Sequence, residues 1–595
     1  MFVGCVALAT SCDLTENVQV KADKSMIFGS KSGLELYSNS FYKALPTLKN
    51  GFMQDKMCDV GAVSNTDTFI KQGAYNTETA TSWSWGALKN INYFIDGCND
   101  PKYCTVDDNT RDNYLGIARW FRAWFYYDKL TTYGEVPWFP HDIQSYQNDV
   151  MYKNRDSRDV IIRNLIADLD FAYEHIQATS STGSSTLTRW AAAALKSRVC
   201  LFEAAYRRYH NLTGLEITPE ELYREAAKAA KLVIDNSGCS LNTATGKKGA
   251  YRDLFYNETP LTQEVILAVC ANEKSGIFGE QNWWFNARSY GLCWSLVRSF
   301  VHTYLKLDGT PFTDDADYAV KSFTEEMEGR DLRLEQTVRG RNFLWDGKTA
   351  VADIKNLSLT GYQVIKYTLD ESKYDGGAKN INSIPLIRYA EVLLNYAEAQ
   401  AELGVITDSE WALTVGALRK RAGITSGTET LPTTVDGYLQ RTFYPDVTSP
   451  VLLEIRRERA IELVAEGMRF DDLRRWKCGS LMETLPWSGI HIPGLEQPVD
   501  VNGDGVDDYY FTEGEVTAAP AAYRNIAIRV NQDGVGLYAE ANAVAGYDLV
   551  YKTGAGDRYW YPDGRQYLYP IPAKVIRDYK NAGYTISQNP YWDNE

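Results

Sequence analysis

The 595-residue chain is poor in the residues and patterns on which most enzymatic and nucleic-acid chemistry depends. It has five histidines, at 141, 175, 210, 302 and 491, and none stands at the HExxH spacing of a zinc protease. No GxSxG elbow presents a serine nucleophile. WDGKT (345–349) ends like a phosphate-binding loop, but the upstream glycine is Gly340, two residues too far for the backbone to cradle a phosphate. Positive charge is also scarce: Lys and Arg number 62 against 77 acids, and the two signs are interleaved. The net charge of −15 offers no phosphate-seeking surface, which excludes nucleic acid as a partner. No apolar run past residue 12 approaches the ~18 residues that span a bilayer. The ten cysteines form no CxxC pair and no zinc spacing. Cys98 and Cys104 flank NDPKY and could close a small disulfide, while buried free thiols are expected of the others.

What the chain has in excess is aromatic surface: 15 Trp, 40 Tyr and 21 Phe, 13% of all residues. A core absorbs many of these, but tryptophans crowded into polar, Gly/Asn-rich segments fit a core less well. Sugar binding needs such platforms for apolar ring faces, with amides, carboxylates or arginines for the hydroxyls. Two clusters qualify. TATSWSWGALKNINYFID (79–96) carries Trp83, Trp85, Asn90 and Asn92. GEQNWWFNARSYGLCW (279–294) carries Trp283, Trp284, Phe285, Tyr290 and Trp294 among Gln281, Asn282, Asn286 and Arg288. The candidate ligand contacts are Trp83, Trp85, Asn92, Trp283, Trp284, Tyr290 and Trp294. The competing reading puts Trp85 in the core and makes Asn92 a structural cap.

Helical periodicity organises the rest. Amphipathic segments arrive in pairs: 114–132 with 157–178, 187–209 with 219–237, 386–404 with 409–422, and 449–466 with 468–477. Ala226, Ala229, Ala230 and Val233 make a small-residue seam, and Gly404 and Gly467 follow helices as natural caps. Such pairs resemble tetratricopeptide units, divergent and scattered rather than tandem. The expected fold is mainly α: four helix pairs over 114–237, 384–422 and 449–477, with minor short strands such as EVILAV (264–269). Long irregular insertions at 50–110, 238–385 and 478–566 are where binding residues belong.

The densest charge lies in LLEIRRERAIELVAEGMRFDDLRRW (452–476). Two of its acids could be read as the proton donor and nucleophile of an all-helical glycosidase. Every acid in the run except Glu458, however, has an arginine three or four residues away, and an acid surrounded by guanidinium is held ionised. The run reads as a structural ion-pair network, with a partner for Glu458 supplied by another helix, and the chain as a binder rather than an enzyme. One metal motif stands out. DVNGDGVDD (500–508) sets Asp500, Asn502, Asp504 and Asp508 at positions 1, 3, 5 and 9 of a calcium loop, with Gly505 at its turn. The Val506 carbonyl would serve position 7. Phe511 stands at position 12, so the usual bidentate ligand must come from Glu513, Asp507 or water. A structural calcium ion is the expected cofactor.

The N-terminus, MFVGCVALATSCD, sets a short apolar run and small residues ahead of Cys12. This resembles a bacterial lipoprotein signal, in which residues 1–11 are removed and Cys12 is acylated, leaving 12–595 as one domain. Buried acyl carbons, at about 0.8 kcal/mol per methylene, can hold a globular body on a bilayer.

With the helix pairs in place, a family resemblance becomes specific. YLGIARWFRAWFYYDKLTTYGEVPWF (114–139) resembles the first long helix of the SusD/RagB family, ending in its YG-[DE]-VP turn. IPLIRYAEVLLNYAEAQAELG (384–404) resembles that family's central helix, and 452–476 its Arg/Glu-rich helix pair, with IRRER where ERR is more usual. YLYPIPAKVI…ISQNPYW (567–592) matches its C-terminal signature, and LKLDGTPF (305–312), GRDLRLEQTV (329–338) and TGYQVIKY (360–367) are shorter echoes. The resemblance implies an outer-membrane, cell-surface lipoprotein. Such a protein sits as a hinged lid on a SusC-like TonB-dependent transporter and captures oligosaccharide for import. A minority of the family serves peptide uptake, which is the alternative.

Overall fold

The computed structural model describes residues 24–49, 53–286 and 293–593. Cys12, Arg288 and Tyr290 therefore lie outside the described residues.

The scaffold is helical, and its helices start and stop where local chemistry satisfies their free backbone groups. The principal helices are α1 (Gly86–Cys98), α2 (Asp108–Tyr133), α3 (Arg158–His175), α4 (Arg189–Tyr209), α5 (Pro219–Asn236), α6 (Tyr389–Glu402), α7 (Val415–Arg421), α8 (Pro450–Glu462), α9 (Arg469–Arg475) and α10 (Ala573–Asn581). Asp107 caps α2 through the Thr110 amide, Ser157 caps α3, and Thr218 with Glu221 forms a capping box at α5. After α6 the Val405 amide reaches back to the Gln400 carbonyl across Gly404 at φ 71°, the backbone glycine tolerates best.

The four expected pairs are present. α2 packs on α3, α4 on α5, and α8 joins α9 through a turn at Ala465 and Gly467. The α4–α5 seam closes on Ala226, Ala229, Ala230 and Val233, all buried. In the third pair the second member is broken at Thr414, with Asp408–Leu413 preceding α7. One correction concerns its first member. Residues 384–388, expected to open the central helix, form β2 (Ile384–Arg388), antiparallel to β1 (Val265–Val269). Pro385 is a poor residue for a helix interior, and EVILAV supplies a ladder for its neighbours. The insertion 478–566 carries a small antiparallel sheet of β3 (Ser488–Ile492), β4 (Leu537–Ala541) and β5 (Tyr547–Tyr551), in the order β4-β5-β3. WDGKT forms a tight hairpin, with Asp346 and Gly347 both at positive φ. All eight cysteines among the described residues are free thiols, Cys98 and Cys104 included.

The charged run at 452–476 is buried, and most of its pairing crosses elements instead of running along one helix surface. Glu458 meets Arg333 at 2.5 Å and Arg419 at 3.2 Å. Arg469 meets Asp59 at 2.6 Å, Arg459 meets Asp472 at 2.8 Å, and Arg475 reaches Glu398 at 2.7 Å. Only a few pairs, such as Arg475 with Asp472, keep the three-residue spacing read from the sequence. Burial alone would push the Glu462 carboxyl up, but the Arg421, Arg388 and Arg333 guanidiniums hold it well below the usual range. A carboxylate so held cannot donate a proton near neutral pH.

Candidate ligand-binding cleft

The first tryptophan cluster lines a cleft of about 1180 Å³. Asn76 turns the chain by accepting the Glu78 and Thr79 amides. An irregular stretch then runs into α1, with Trp85 as the residue before its first turn. Trp83 and Trp85 meet edge to face at 5.3 Å, and both are half-buried. Trp83 leans on Tyr133 at 4.9 Å and Trp85 on Phe139 at 5.2 Å, which fixes each ring while leaving surface toward the cleft. The Tyr133 hydroxyl, pushed up to about 12 by burial, keeps its proton and pairs with Ser82 at 2.7 Å.

Trp85, Leu88, Lys89 and Asn92 fall on one face of α1 at helical spacing, and all line the cleft. Asn92 is 1% exposed. Its amide nitrogen donates to the Phe139 and His141 carbonyls at 2.8 and 3.1 Å, so it is a structural tether as the competing reading held. Its Oδ1, however, has no protein partner. The opposite walls come from 139–152 and from α10. His141 pairs with Asp96 at 2.7 Å, and Asp96 also accepts the Asp142 amide. Arg577 on α10 bonds Glu78 at 2.5 Å and holds its carboxyl below the usual range. Lys574 pairs with Asp578 at 2.6 Å. Sequence reasoning missed His141 and the α10 residues. They sit 58 and about 490 residues from Trp83, and only the fold brings them together.

The second cluster is elsewhere. Trp283 and Trp284 are half-buried and in edge contact at 5.0 Å, and the Trp284 indole donates to the Lys49 carbonyl at 3.0 Å. Neither lines the cleft of Trp83. Trp294 is a correction: it is 4% exposed, its indole donates to the Asp55 carbonyl at 3.2 Å, and it lies hard against Gly61. A Cβ at Gly61 would stand 2.4 Å from the Trp294 ring, so this tryptophan is core.

The 500–508 loop folds on its own amides. Asp500 accepts from Gly503 and Gly505 at 2.7 and 2.8 Å, Asn502 from Asp504 at 3.0 Å, Asp504 from Val506 at 2.9 Å, and Asp508 from Val501 at 2.8 Å. Phe511 is wholly buried, and Glu513 accepts from Asn531 at 2.7 Å. Burial, and then Asp500 and Asp504, push the Asp508 carboxyl up, a crowding that a cation would relieve. Among the described residues, no three His, Cys, Asp or Glu side chains are gathered as a ready cage.

The SusD family model matches residues 263–592, more than half of the chain. The chain belongs to the SusD family. A SusD-like protein of Formosa agariphila is 25% identical over 380 residues, which are 61% of this chain and 66%, just under two thirds, of that relative. Solved SusD-like folds superpose over nearly the full length. A SusD-like protein from Bacteroides fragilis is 20% identical, with a TM-score of 0.65 over 96% of this chain and 98% of that one. A SusD-like carbohydrate binding protein from the same organism is 19% identical, with a TM-score of 0.65 over 94% and 99%. A third, solved with xylogluco-oligosaccharide, is 16% identical, with a TM-score of 0.54 over 91% and 96%. These likenesses establish the mainly helical SusD-like architecture.

Proposed function

We propose that this protein captures oligosaccharide in the Trp83–Trp85 cleft and delivers it to a SusC-like TonB-dependent transporter, without chemical change to the glycan. The observation that carries the reading is one juxtaposition. Two half-buried tryptophans present ring surface in one cleft with the polar side chains of Lys89, Lys574 and Asp578. Indole faces suit the apolar side of a sugar ring, and charged and polar side chains around them suit its hydroxyls. The carbohydrate-binding and xylogluco-oligosaccharide-bound relatives support the same class of ligand. Acylation of Cys12 would hold the protein on the outer membrane at the cell surface, and no helix among the described residues is long and apolar enough to cross a membrane itself.

Calorimetry against a panel of oligosaccharides and a peptide mixture tests this. Binding to a glycan, weakened at least tenfold by Trp83→Ala with no reducing ends released over time, is the expected result. Peptide binding with indifference to glycans would favour peptide uptake, and steady product release stopped by loss of one acid would make the protein a glycosidase.

A further inference from the structure

A second cleft, of about 800 Å³, lies on the far side of the same stretch of chain. Ser82 and Ala87 line it, whereas Thr81, Trp83, Trp85 and Lys89 line the first, so residues 81–89 are a wall common to both. That wall is aromatic through its thickness. Trp83 on the first side meets Tyr133 on the second at 4.9 Å, and Trp85 meets Phe125 on the second at 5.6 Å. Trp124, half-buried, extends the aromatic surface into the second cleft. The charges there are matched in place: Lys56 with Asp67, Arg474 with Asp471 at 2.5 Å, and Lys129 beside Asp128 at 3.5 Å. A mainly apolar cleft with ring-sized surfaces, whose charges are matched in place, suits an uncharged ligand that also bears hydroxyls better than an ion.

We infer that the two clefts are one extended site, in which an oligosaccharide crosses the 81–89 ridge and stacks further sugar rings against Trp124 and Phe125. This rests on the first cleft being a glycan site. The second subsite then makes affinity depend on chain length, because a short glycan fills only one side of the ridge.

Ala87 gives a clean probe. It is exposed in the first turn of α1, so Ala87→Trp fills the second cleft without removing a packed side chain. Trp124→Ala is the complementary variant, with its fold checked by a thermal melt. Calorimetry would use short and long members of the xylogluco-, cello-, xylo-, manno- and malto-oligosaccharide series. The expected result is a series whose long member binds wild type at least tenfold tighter than the short one, a gain that both variants erase while the short member's affinity is kept. Equal affinity of short and long members in wild type overturns the extended site and leaves the first cleft standing. So does a length gain that survives Ala87→Trp. If no member of any series binds wild type, the glycan reading and this inference fall together.

Discussion

The Glu462 carboxylate and the Arg388 guanidinium meet at 2.6 Å in a place all but closed to solvent, 0% and 2% exposed. Arg421 and Arg333 close on the same carboxylate at 2.5 and 2.8 Å, and Arg388 also reaches Glu264 and Glu466. The strand β2, the helices α7 and α8 and the 329–338 segment are thus tied at one point. A buried network of this kind contributes little net stability when complete, because desolvation offsets the attraction, but it is costly to break. Glu462→Gln leaves three guanidiniums facing a neutral amide. It should lower unfolding stability by roughly 3–5 kcal/mol, read from urea midpoints, with glycan affinity of the folded fraction unchanged. A variant as stable as wild type would remove the network from its structural role.

Trp83 and Trp294 make a matched contrast. Both sit in Gly- and polar-rich stretches, yet one faces a cleft and the other is sealed against Gly61. Trp294→Ala should cost about 3–5 kcal/mol by emptying a core site, with residual binding in proportion to folded protein. Trp83→Ala should leave the melting temperature within a few degrees and take away binding. The reverse pattern would move the ligand site to the second tryptophan cluster.

Asp55 introduces a pH dependence. It is fully buried, its Oδ2 accepts the Gly467 amide at 2.9 Å, and its Oδ1 has no partner. Burial pushes its carboxyl from an ordinary 3.8 up to about 7, against the pull of the Gly467 and Arg469 amides and Lys366, while Glu466 adds to the rise. Between those two values the folded protein holds a proton that the unfolded chain has lost. Stability therefore falls as pH rises through the window, and above pH 7 the full cost of the buried charge is present. Asp55→Asn keeps an acceptor for Gly467 and removes the charge. Urea midpoints at pH 5 and pH 8 should drop in wild type by the equivalent of roughly 2–4 kcal/mol and stay nearly level in the variant. Parallel curves would assign the pH dependence to other groups.

The helix pairs were legible because each carries a 3.6-residue apolar stripe and its own caps, signals that survive without tertiary context. The scaffold role of 452–476 was legible too, but its partners were not. Arginine at three-residue spacing suggested pairing Glu462 with Arg459 and Glu466 with Arg469, while the structure sends Glu462 to Arg333, Arg388 and Arg421 and Glu466 to Arg388 and Lys366. Glu458, whose partner was expected from another helix, meets Arg419 of α7. Pairing across elements depends on which faces meet, and local spacing does not encode that. IPLIR at 384–388 shows the same limit, since four apolar residues ending in Arg388 suit strand or helix until β1 is there to pair with them. At the site, Trp83, Trp85 and Asn92 were found because they share one short segment. Arg577 and Lys574 face them from the far end of the chain, and no local pattern links the two.

The 500–508 loop carries the last prediction. We propose that it holds a calcium ion through Asp500, Asn502, Asp504, Asp508 and the Val506 carbonyl. The side chains of Asp500 and Asp504 already bend back to accept loop amides, the arrangement by which such turns orient carboxylates. Asp508 is half-buried beside two other acids, and a divalent ion would neutralise that crowding. Because Phe511 replaces the usual bidentate acid, affinity should be at the weak, extracellular end of the range, on the order of 10⁻⁴–10⁻³ M. At a hundredfold excess over that constant, calcium should raise unfolding stability by about 2.7 kcal/mol. Asp504→Ala should abolish the gain, and magnesium should not replace it. Glycan affinity should be indifferent to chelator, since no residue of the loop lines either cleft. Identical urea midpoints in excess calcium and in chelator would show that the loop is held by its own hydrogen bonds alone.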